Sequence, residues 1–433
     1  MHAHIPVRDF WWLAAGGASY GARYVKNKVG SLRSEARRSR VPDPSEELLQ
    51  LQSEYGYNAH SLVSIAPGGS AWTMPGIDGA IVYGEFGRVW LAAGDPLARP
   101  EDTVALVKGF MVAAAKAKRI AAFVPATEHF ARQVVPLGLS AIKIGASPYF
   151  DLKTWNPRGN CAKKLRAGVN QATRAGVRVE LIENFDEQFR KETAELCLEW
   201  LKARPAATTF GWLLALDPFL RSERKKLFAA HDEKNHLVGL LAVSPIPARN
   251  GWYLEDVLRK FDAPPGTADL LVVEALHRLK EDGATLATLG TAPLAKEGDD
   301  DISTHDHPVI EPALRSVSRR FSVFYNFEGL RKFKGKFVPS WWESEYVLLQ
   351  HGAMVPTRVA HALLRAIVPG GLKQLLTRRA VRSIGLNAFS LFLSNLPSVQ
   401  SQYLPGSTGR GKSRLRILAP DSPSSRKIPG GQI

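Results

Sequence analysis

The sequence predicts a mixed α/β (α+β) fold, and three observations lead to that prediction. The chain has 433 residues, of which 45% are hydrophobic, so it can bury a sizeable core in two or three compact units. Short apolar runs alternate with longer stretches in which apolar residues recur at helical spacing. The order of these strands and helices repeats loosely, which indicates two α/β units.

The first predicted unit covers residues 45–157. Its strands are expected at 79–83, 89–93 and 120–124, because each is a short, nearly continuous apolar run. A helix over 103–118 connects the second of these strands to the third.

The second predicted unit covers residues 177–350. Apolar runs predict four strands, and apolar residues at helical spacing predict two helices between them. The strands are expected at 177–181, 237–245, 251–257 and 285–289, and the helices at 186–203 and 266–283.

A basic run over 158–176 joins the two units and is predicted to be a helix. Its cations are Lys163, Lys164, Arg166 and Arg174. At 3.6 residues per turn, Lys163, Arg166 and Asn170 share one face, which could follow the phosphate backbone of an RNA. A solvated linker helix would explain the same pattern.

The net charge of +16 comes from the two ends of the chain. Residues 1–40 carry eight Lys or Arg and two acidic residues, and residues 351–433 carry twelve and one. Of the 57 basic and 41 acidic residues, 37 and 38 therefore remain between 41 and 350. A nearly neutral body between cationic arms suits contact with anionic lipid or nucleic acid. We interpret 1–44 as a basic N-terminal flank and 401–433 as a disordered tail.

Residues 351–400 are predicted to form two basic amphipathic helices, separated by a Pro-Gly-Gly break at 369–371. Such helices lie at membrane surfaces, where each cation near an anionic leaflet contributes about 1 kcal/mol. Docking of both helices on the folded body is the alternative. No run of the sequence reaches the ~18 apolar residues that a transmembrane helix needs.

Cysteine usage and ligand spacing argue against metal and redox chemistry. Cys161 and Cys197 are the only cysteines, without CxxC or HxxxH spacing, so we predict a reducing cytoplasmic setting and no metal. Residues 406–413 match the GxxxxGK[ST] pattern of a P-loop, but a Ser- and Pro-rich end follows instead of a helix. The acidic and His-rich stretch 299–307 is best interpreted as a polar surface loop.

Three blocks in the second half of the chain are unusual. The first reads Tyr-Leu-Glu-Asp-Val-Leu-Arg at 253–259 and continues with Ala-Pro-Pro-Gly at 263–266 and Asp269. The second reads Leu-Gly-Thr-Ala-Pro-Leu at 289–294, and the third, 324–341, places four Lys or Arg among aromatics. Alternating rings and cations suit a pocket for an anionic or nucleotide-bearing ligand. The third block could also be a strand or turn whose rings enter the core.

Together these blocks resemble the C-terminal catalytic domain of the phosphatidylglycerol lysyltransferases, also called aminoacyl-phosphatidylglycerol synthases or multiple peptide resistance factors. The resemblance extends to Gly-Asp-Pro at 94–96, to 143–145 and to the basic run, and covers about residues 50–350. The sequence departs from the family pattern at 257–258, where Leu-Met is usual, and at Ala268, where Met is usual. These positions bear on the choice of amino acid more than on the class of reaction.

The resemblance implies that both units are GNAT-like acyltransferase folds in tandem. It also implies transfer of an amino acid, lysine or alanine, from aminoacyl-tRNA to the hydroxyl of phosphatidylglycerol or a related lipid. No cofactor is expected besides aminoacyl-tRNA as co-substrate. The expected setting is peripheral, on the cytoplasmic face of the cell membrane. A separate lipid flippase is a further expected partner where another protein supplies the membrane-spanning domain that many family members carry.

Such a transfer needs little covalent help, because the donor ester is already activated and the fold must mainly orient the alcohol and stabilise an oxyanion. The resemblance implies that Asp256 holds the α-amino group and that Arg259 contacts the tRNA end or polarises the ester. These two residues could face one cavity if their strand turns there, or form a structural ion pair.

The other site residues follow from the same resemblance. Lys336 is the candidate that stabilises the oxyanion or contacts the lipid phosphate. Asp269 is a substrate-binding candidate that could equally cap the helix beginning near Gly266. The remaining substrate-binding candidates are Tyr325, Asn326, Arg331 and Lys334, and the tRNA-binding candidates are Lys163, Lys164, Arg166 and Arg174.

Two alternatives stay open at this point. The acceptor could be another lipid, a sterol or a peptide amine, as in the Fem-type aminoacyl transferases. The chain could also be a noncatalytic RNA- or membrane-binding protein that retains a transferase fold, although the charged positions of the three blocks are all present.

Overall fold

A computed structural model describes residues 44–66, 68–202, 216–298, 302, 327–352, 354–367 and 425–427. The helices are α1 Pro44–Tyr55, α2 Ser61–Ser64, α3 Pro100–Lys116, α4 Glu128–Val134, α5 Lys163–Arg174, α6 Glu187–Lys202, α7 Thr267–Glu281, α8 Phe327–Gly335 and α9 Val355–Ile367. Short 3-10 helices cover Val135–Leu137, Ser222–Arg224 and Pro247–Arg249.

The strands form one continuous mixed sheet. They are β1 Ser70–Trp72, β2 Gly79–Phe86, β3 Val89–Ala93, β4 Leu97–Ala98, β5 Ile120–Thr127, β6 Leu139–Asp151, β7 Arg178–Ile182, β8 Lys226–His231, β9 Leu237–Ile246, β10 Gly251–Arg259, β11 Leu286–Thr288, β12 Ala292–Pro293, β13 Trp341–Gln350 and β14 Ser425–Lys427. Their order is β14-β1-β2-β3-β5-β13-β6-β11-β10-β9-β8-β7, with β4 beside β2 and β12 beside β6. The β3–β5 and β10–β11 pairs are parallel, and the other described pairs are antiparallel. The mixed α/β prediction is confirmed.

The centre of the sheet joins distant parts of the chain. Strand β13 lies between β5 and β6, and β6 also pairs with β11 and β12. Strands from both predicted units therefore share one ladder of backbone hydrogen bonds. The unit boundaries at 157 and 177 stay predictions, since no break in the sheet marks them.

Both faces of the second half of the sheet are covered by helices. One face packs against α5 and α7 through residues such as Leu165, Leu271 and Leu276. The other packs against α6 through residues such as Leu196 and Cys197. These two faces separate the candidate functional residues described below.

Helix α5 confirms the predicted basic helix and is docked rather than solvated. Leu165 and Ala172 are fully buried in the same cluster as α7, while its predicted RNA-binding cations are exposed. The packing is close enough to require glycine. A Cβ on Gly266, whose φ is +88°, would lie 1.9 Å from the carbonyl oxygen of Gly168. A Cβ on Gly168 would lie 2.0 Å from Oδ2 of Asp269.

Helix α9 is the first of the two predicted C-terminal amphipathic helices, and it docks on the sheet. Val359, Ala362 and Ala366 are buried in a cluster with strands β3, β5 and β13, while Arg358 and Arg365 are exposed. Its apolar face is thus covered by protein, as the docking alternative expects. The second predicted helix lies outside the described residues. Among the described helices, none is long and apolar enough to cross a membrane.

The third sequence block contains helix α8, which differs from the strand or turn of the alternative interpretation, although the rings of Phe333 and Phe337 do pack at the core as that alternative expects. Phe327, Leu330 and Phe333 recur every third residue, which aligns them along one side of a helix. Phe337 follows the helix and is completely buried in the cluster with α7. Phe333 and Phe337 of the third block therefore pack in or against the core, whereas Lys334 and Lys336 contact the other two blocks.

Candidate functional site

Lys334 connects the third block to the second. Its Nζ donates hydrogen bonds to the carbonyl oxygens of Leu289 at 2.7 Å, Gly290 at 2.8 Å and Thr291 at 2.7 Å. Burial lowers the pKa of Lys334 to about 7, although the nearby Glu345 carboxylate opposes that shift. All three ammonium donors are occupied by this loop. The predicted substrate contact would require Lys334 to release one of these carbonyls.

Glu345 holds the same loop from the other side. Ser147 Oγ donates to its Oε1, and the Thr291 hydroxyl donates to its Oε2. Burial raises the pKa of Glu345, while both hydrogen bonds and the charge of Lys334 act in the opposite direction. Residues 289–291 are therefore fixed between a buried cation and a buried acid.

Lys336 connects the third block to the first. Its ammonium pairs with Oδ1 of Asp269, whose side chain is only 8% exposed. The Lys336 Nζ also lies 5.5 Å from the ring centroid of Phe333 and 5.8 Å from that of Phe337. Asp269 stands in the first turn of α7, where the helix dipole favours a carboxylate. The structure thus brings two predicted site residues into direct contact.

Asp256 occupies a buried acidic position beside α6. Strand β10 has a bulge between Leu254 and Asp256, and a bulge directs two successive side chains to one face. Asp256 Oδ2 is buried and has no hydrogen-bond partner in the part of the chain that the structure describes. Burial and the charge of Glu255 raise the pKa of Asp256 well above its usual value, and Lys225 opposes the shift.

The carboxylate of the neighbouring Glu255 has ion-pair and hydrogen-bond partners, in contrast to Oδ2 of Asp256. Lys225 Nζ lies 2.9 Å from Glu255 Oε2, and these side chains are 1% and 7% exposed. Ser244 Oγ donates to the same oxygen at 2.6 Å. Of these two adjacent acids, Asp256 is therefore the one with an oxygen that accepts no hydrogen bond from the described residues.

Asp256 and Arg259 do not share a cavity in the way the sequence suggested. Strand β10 continues through Arg259 instead of turning after Asp256. Because side chains alternate along a strand, positions 256 and 259 begin on opposite faces. The exposed Arg259 guanidinium donates to the carbonyl oxygen of Lys260 at 3.1 Å, and no ion pair between the two candidates exists in the described structure.

The predicted catalytic residues are also divided by the sheet. Asp256 lies near Cys197 of α6, where burial and then the charge of Asp256 raise the pKa of the thiol, and so belongs to the α6 face. Asp269 and Lys336 lie with α7 and Phe337 on the opposite face. Their assigned roles stay predictions.

The remaining predicted residues lie at the surface or outside the described chain. Arg331 Nε donates to Glu297 Oε1 at 2.6 Å, and its side chain is 46% exposed. Arg166 donates to the carbonyl oxygens of Pro157 and Gly159, which fixes the turn before α5. Tyr325 and Asn326 lie outside the described residues.

His60 is a buried side chain next to the first block that the sequence analysis did not single out. Its ring packs on Tyr253 of the first block at 5.1 Å between centroids, and its Nδ1 is buried without a hydrogen-bond partner among the described residues. Burial and the charge of Lys334 lower the pKa of His60 to about 4, so the imidazole is neutral at pH 7. No local motif marks His60, because its neighbours come from distant parts of the chain.

Asp95 is a buried acid that was also not singled out as a candidate, and the Gly-Asp-Pro block at 94–96 was its signal. Thr127 donates to it through both its backbone N–H at 3.0 Å and its hydroxyl at 2.6 Å. Asn58 Nδ2 donates at 3.1 Å. Burial raises the pKa of Asp95 against the effect of these hydrogen bonds.

Arg249 connects the turn before β10 to strand β13. It donates two hydrogen bonds to Glu343 of β13, at 2.9 and 2.6 Å. Its guanidinium lies 4.9 Å from the ring centroid of Tyr57 and 4.3 Å from that of Tyr149. Among the described residues, no group of three or more His, Cys, Asp or Glu could hold a metal ion.

The long mixed sheet with helices on both faces is similar to the fold of two solved structures, while the tandem GNAT-like arrangement stays a prediction. The C-terminal domain described as that of a lysylphosphatidylglycerol synthetase from Agrobacterium fabrum is 25% identical, with a TM-score of 0.62. The L-PGS structure from Bacillus licheniformis is 23% identical, with a TM-score of 0.63. Each likeness covers 76% of this chain and 98% of the other.

The sequence model of the family "Phosphatidylglycerol lysyltransferase, C-terminal" matches residues 50–349. The chain therefore belongs to this family, which confirms the resemblance carried by the three blocks.

Relatives with curated names cover the same region. A phosphatidylglycerol lysyltransferase from Bacillus subtilis is 24% identical over 301 residues, or 69% of this chain and 34% of the relative. The lysylphosphatidylglycerol biosynthesis bifunctional protein LysX from Rhodococcus jostii is 25% identical over 285 residues, or 64% and 24%. The chain thus spans a quarter to a third of the length of these relatives.

Proposed function

We propose that this chain transfers an amino acid from aminoacyl-tRNA to the hydroxyl of phosphatidylglycerol, or of a related lipid, at the cytoplasmic face of the membrane. The family match over residues 50–349 carries the proposal. Lysine is the first amino acid to test, because the relatives are named for lysyl transfer. Alanine is the second.

The proposed reaction exchanges one ester for another. The lipid hydroxyl oxygen attacks the aminoacyl carbonyl carbon, the bond to the ribose oxygen breaks, and the hydroxyl proton passes to that leaving oxygen. A cation near the carbonyl oxygen would stabilise the negative charge that develops there. Because the sheet separates Lys336 from Asp256, the two side chains cannot contact one aminoacyl group. Of the two roles expected for Lys336, contact with the lipid phosphate is therefore the compatible one, and its ammonium is partly exposed and already positioned by Asp269.

Asp256 suits the amino group of the donor. A buried carboxyl with an unpartnered oxygen can accept a hydrogen bond from an ammonium. The cation would favour the charged carboxylate and so act against the burial and the Glu255 charge that raise the pKa of Asp256.

The remaining contacts of the proposal are electrostatic. The exposed lysines of α5, Lys163 and Lys164, would follow the tRNA phosphates, and the basic ends of the chain would favour an anionic leaflet. Residues 41–350, between these basic ends, carry almost no net charge.

The test is incubation of the purified protein with phosphatidylglycerol vesicles and radiolabelled aminoacyl-tRNAs, followed by chromatography of the lipid extract. We expect label in an aminoacylated lipid, its loss in Asp256→Ala, and its retention in Asp262→Ala, a change at an exposed acid nearby.

Other outcomes would redirect the proposal. Label in a different lipid or in a peptide precursor would identify another acceptor. Binding of tRNA with no transfer to any acceptor would support the noncatalytic alternative and overturn the enzyme.

A further inference from the structure

Phe261 projects into solvent immediately after β10. Its side chain is 83% exposed, whereas the other exposed large hydrophobic residues of the described chain range from 37% to 57%. Burying a phenylalanine is normally favourable by about 1.5–3 kcal/mol, so such exposure calls for an explanation.

The backbone beneath this ring is held firmly. The Phe261 N–H donates to Glu199 Oε1 of α6 at 2.7 Å, and the Lys260 N–H donates to the carbonyl oxygen of Val238 at 2.9 Å. Arg259 donates to the Lys260 carbonyl oxygen, and Ala263 is buried in the core. The turn is therefore ordered, and a ligand that stacks on the ring would not have to immobilise a flexible loop.

The turn that carries Phe261 and the buried carboxyl of Asp256 both lie along helix α6. Helix α6 contacts both sites, because Glu199 binds the Phe261 backbone and Cys197 lies close to Asp256. Positions 256 and 261 are five steps apart along the chain, so at about 3.4 Å per step their Cα atoms are at most about 17 Å apart. An aminoacylated terminal nucleotide, whose amino group and base are joined through one ribose, is of the size to reach from one to the other.

Exposed cations lie at the start of this turn and on the helix that contacts its end. Arg259 is exposed just before Phe261, and the far end of the turn, Gly266, contacts α5 at Gly168. Helix α5 presents Lys163 and Lys164 to solvent. An exposed ring next to a cationic surface is the arrangement that binds unpaired nucleotides, because bases stack on the ring while phosphates pair with the cations.

We propose that Phe261 is the stacking platform for the unpaired terminal base of an RNA, with the exposed cations of α5 holding its phosphates. This inference rests on the proposed function and identifies a donor-binding residue for it. Insertion of the ring into a bilayer is less consistent with the surface, because exposed Asp262 follows it and membrane anchoring requires a broad apolar face.

The experiment measures fluorescence anisotropy of a labelled RNA hairpin with a single-stranded CCA end. Phe261→Ala should weaken binding by about 5- to 150-fold, which corresponds to the loss of one base–aromatic stack. Phe261→Trp should retain affinity because it retains a ring. Met354→Ala, at another exposed apolar side chain, should have no effect.

The salt dependence of RNA affinity distinguishes the contribution of the Phe261 ring from that of the α5 cations. Phe261→Ala should leave the slope of log affinity against log salt unchanged, whereas Lys163→Ala with Lys164→Ala should reduce its magnitude by about 1–2. Removal of the CCA end should abolish the difference between wild type and Phe261→Ala.

Equal RNA affinity in wild type and Phe261→Ala would overturn the inference. If Phe261→Ala instead reduced binding to anionic vesicles, the ring would be a membrane contact. Aminoacyl transfer by the wild type is measured separately. Transfer without an effect of Phe261→Ala on RNA binding would overturn only the stacking proposal. An effect of Phe261→Ala on RNA binding without any transfer would overturn only the proposed enzyme function.

Discussion

The Lys334 ammonium lies 2.7 Å from the carbonyl oxygen of Leu289, a residue 45 positions earlier in the chain. Because it also binds Gly290 and Thr291, helix α8 fixes the loop after β11. Lys334→Met keeps the aliphatic chain and removes every donor, leaving buried carbonyl oxygens without this partner. We expect the free energy of unfolding to fall by about 2–4 kcal/mol, measured by urea denaturation.

A matched control lies on the same helix. Lys332 and Glu328 form a surface ion pair with both side chains 71% exposed. Lys332→Met should change the free energy of unfolding by less than about 0.5 kcal/mol. Equal stabilities of the Lys334 and Lys332 variants would contradict the proposed fixation of the loop.

Asp256→Asn should separate activity from stability. The raised pKa of Asp256 means that a neutral amide replaces a carboxyl the fold already prefers uncharged, so the unfolding free energy should stay within about 1 kcal/mol of wild type or increase. Under the proposed function, lipid aminoacylation should fall at least about a hundredfold, because the amide cannot pair with an ammonium.

Glu255→Gln is the counterpart on the adjacent residue. It leaves Lys225 buried without its carboxylate, and should lower the unfolding free energy by about 3–5 kcal/mol. A destabilised Asp256→Asn protein, or one with normal transfer, would refute the assignment of an amine-binding role to Asp256.

Gly168→Ala should disrupt the contact between α5 and α7. The added methyl group would lie 2.0 Å from Asp269 Oδ2 and would displace the carboxylate that pairs with Lys336. We expect a loss of about 1–3 kcal/mol in the free energy of unfolding. Gln171→Ala, at an exposed position of the same helix, should be nearly neutral.

A double-mutant cycle checks the cause of this loss. With Asp269→Ala already present, no carboxylate opposes the new methyl group, so Gly168→Ala should cost less than it does in wild type. Additive effects of the two substitutions would place the clash elsewhere.

His60 should contribute to acid sensitivity. Its pKa is about 4 in the folded protein and about 6.5 when unfolded, so between these values the unfolded chain binds more protons. The contribution to stability is present above pH 6.5 and is lost as pH falls toward 4. The stability difference between wild type and His60→Gln should shrink by up to about 3 kcal/mol over that range.

Denaturation at several pH values measures this difference, and His361→Gln is the control because His361 is exposed. The control should follow wild type at every pH. A constant difference between wild type and His60→Gln would mean that His60 titrates normally in the folded state.

Local patterns predicted about half of the described helices and strands. Strand β3 begins at Val89 and ends at Ala93 as expected, and β9, β10, α6 and α7 agree with their predicted bounds to within two residues. In each of these segments the spacing of apolar residues matches the period of a helix or a strand, so the segment has one or two apolar faces. This spacing can be recognised within the segment itself, without knowledge of the strands that pair with it.

Two central strands were missed because their local patterns are weak. Strand β6 contains Gly145 and Pro148, and β13 begins with Trp341 and Trp342 followed by Glu, Ser and Glu. Both are strands because neighbours pair with them on both sides. Pairing between distant segments outweighed their weak strand propensity.

The sequence by itself determined the family, the alternation of strands and helices, the cationic ends and the three blocks that carry the site. Only the tertiary structure decided that Lys334 reaches Leu289, that Lys336 pairs with Asp269, and that the sheet separates this pair from Asp256. It also placed the buried ring of His60 beside Tyr253. The physical reason is that periodicity and charge act over a few residues, whereas burial, pairing and pKa depend on groups that meet only when the chain is folded.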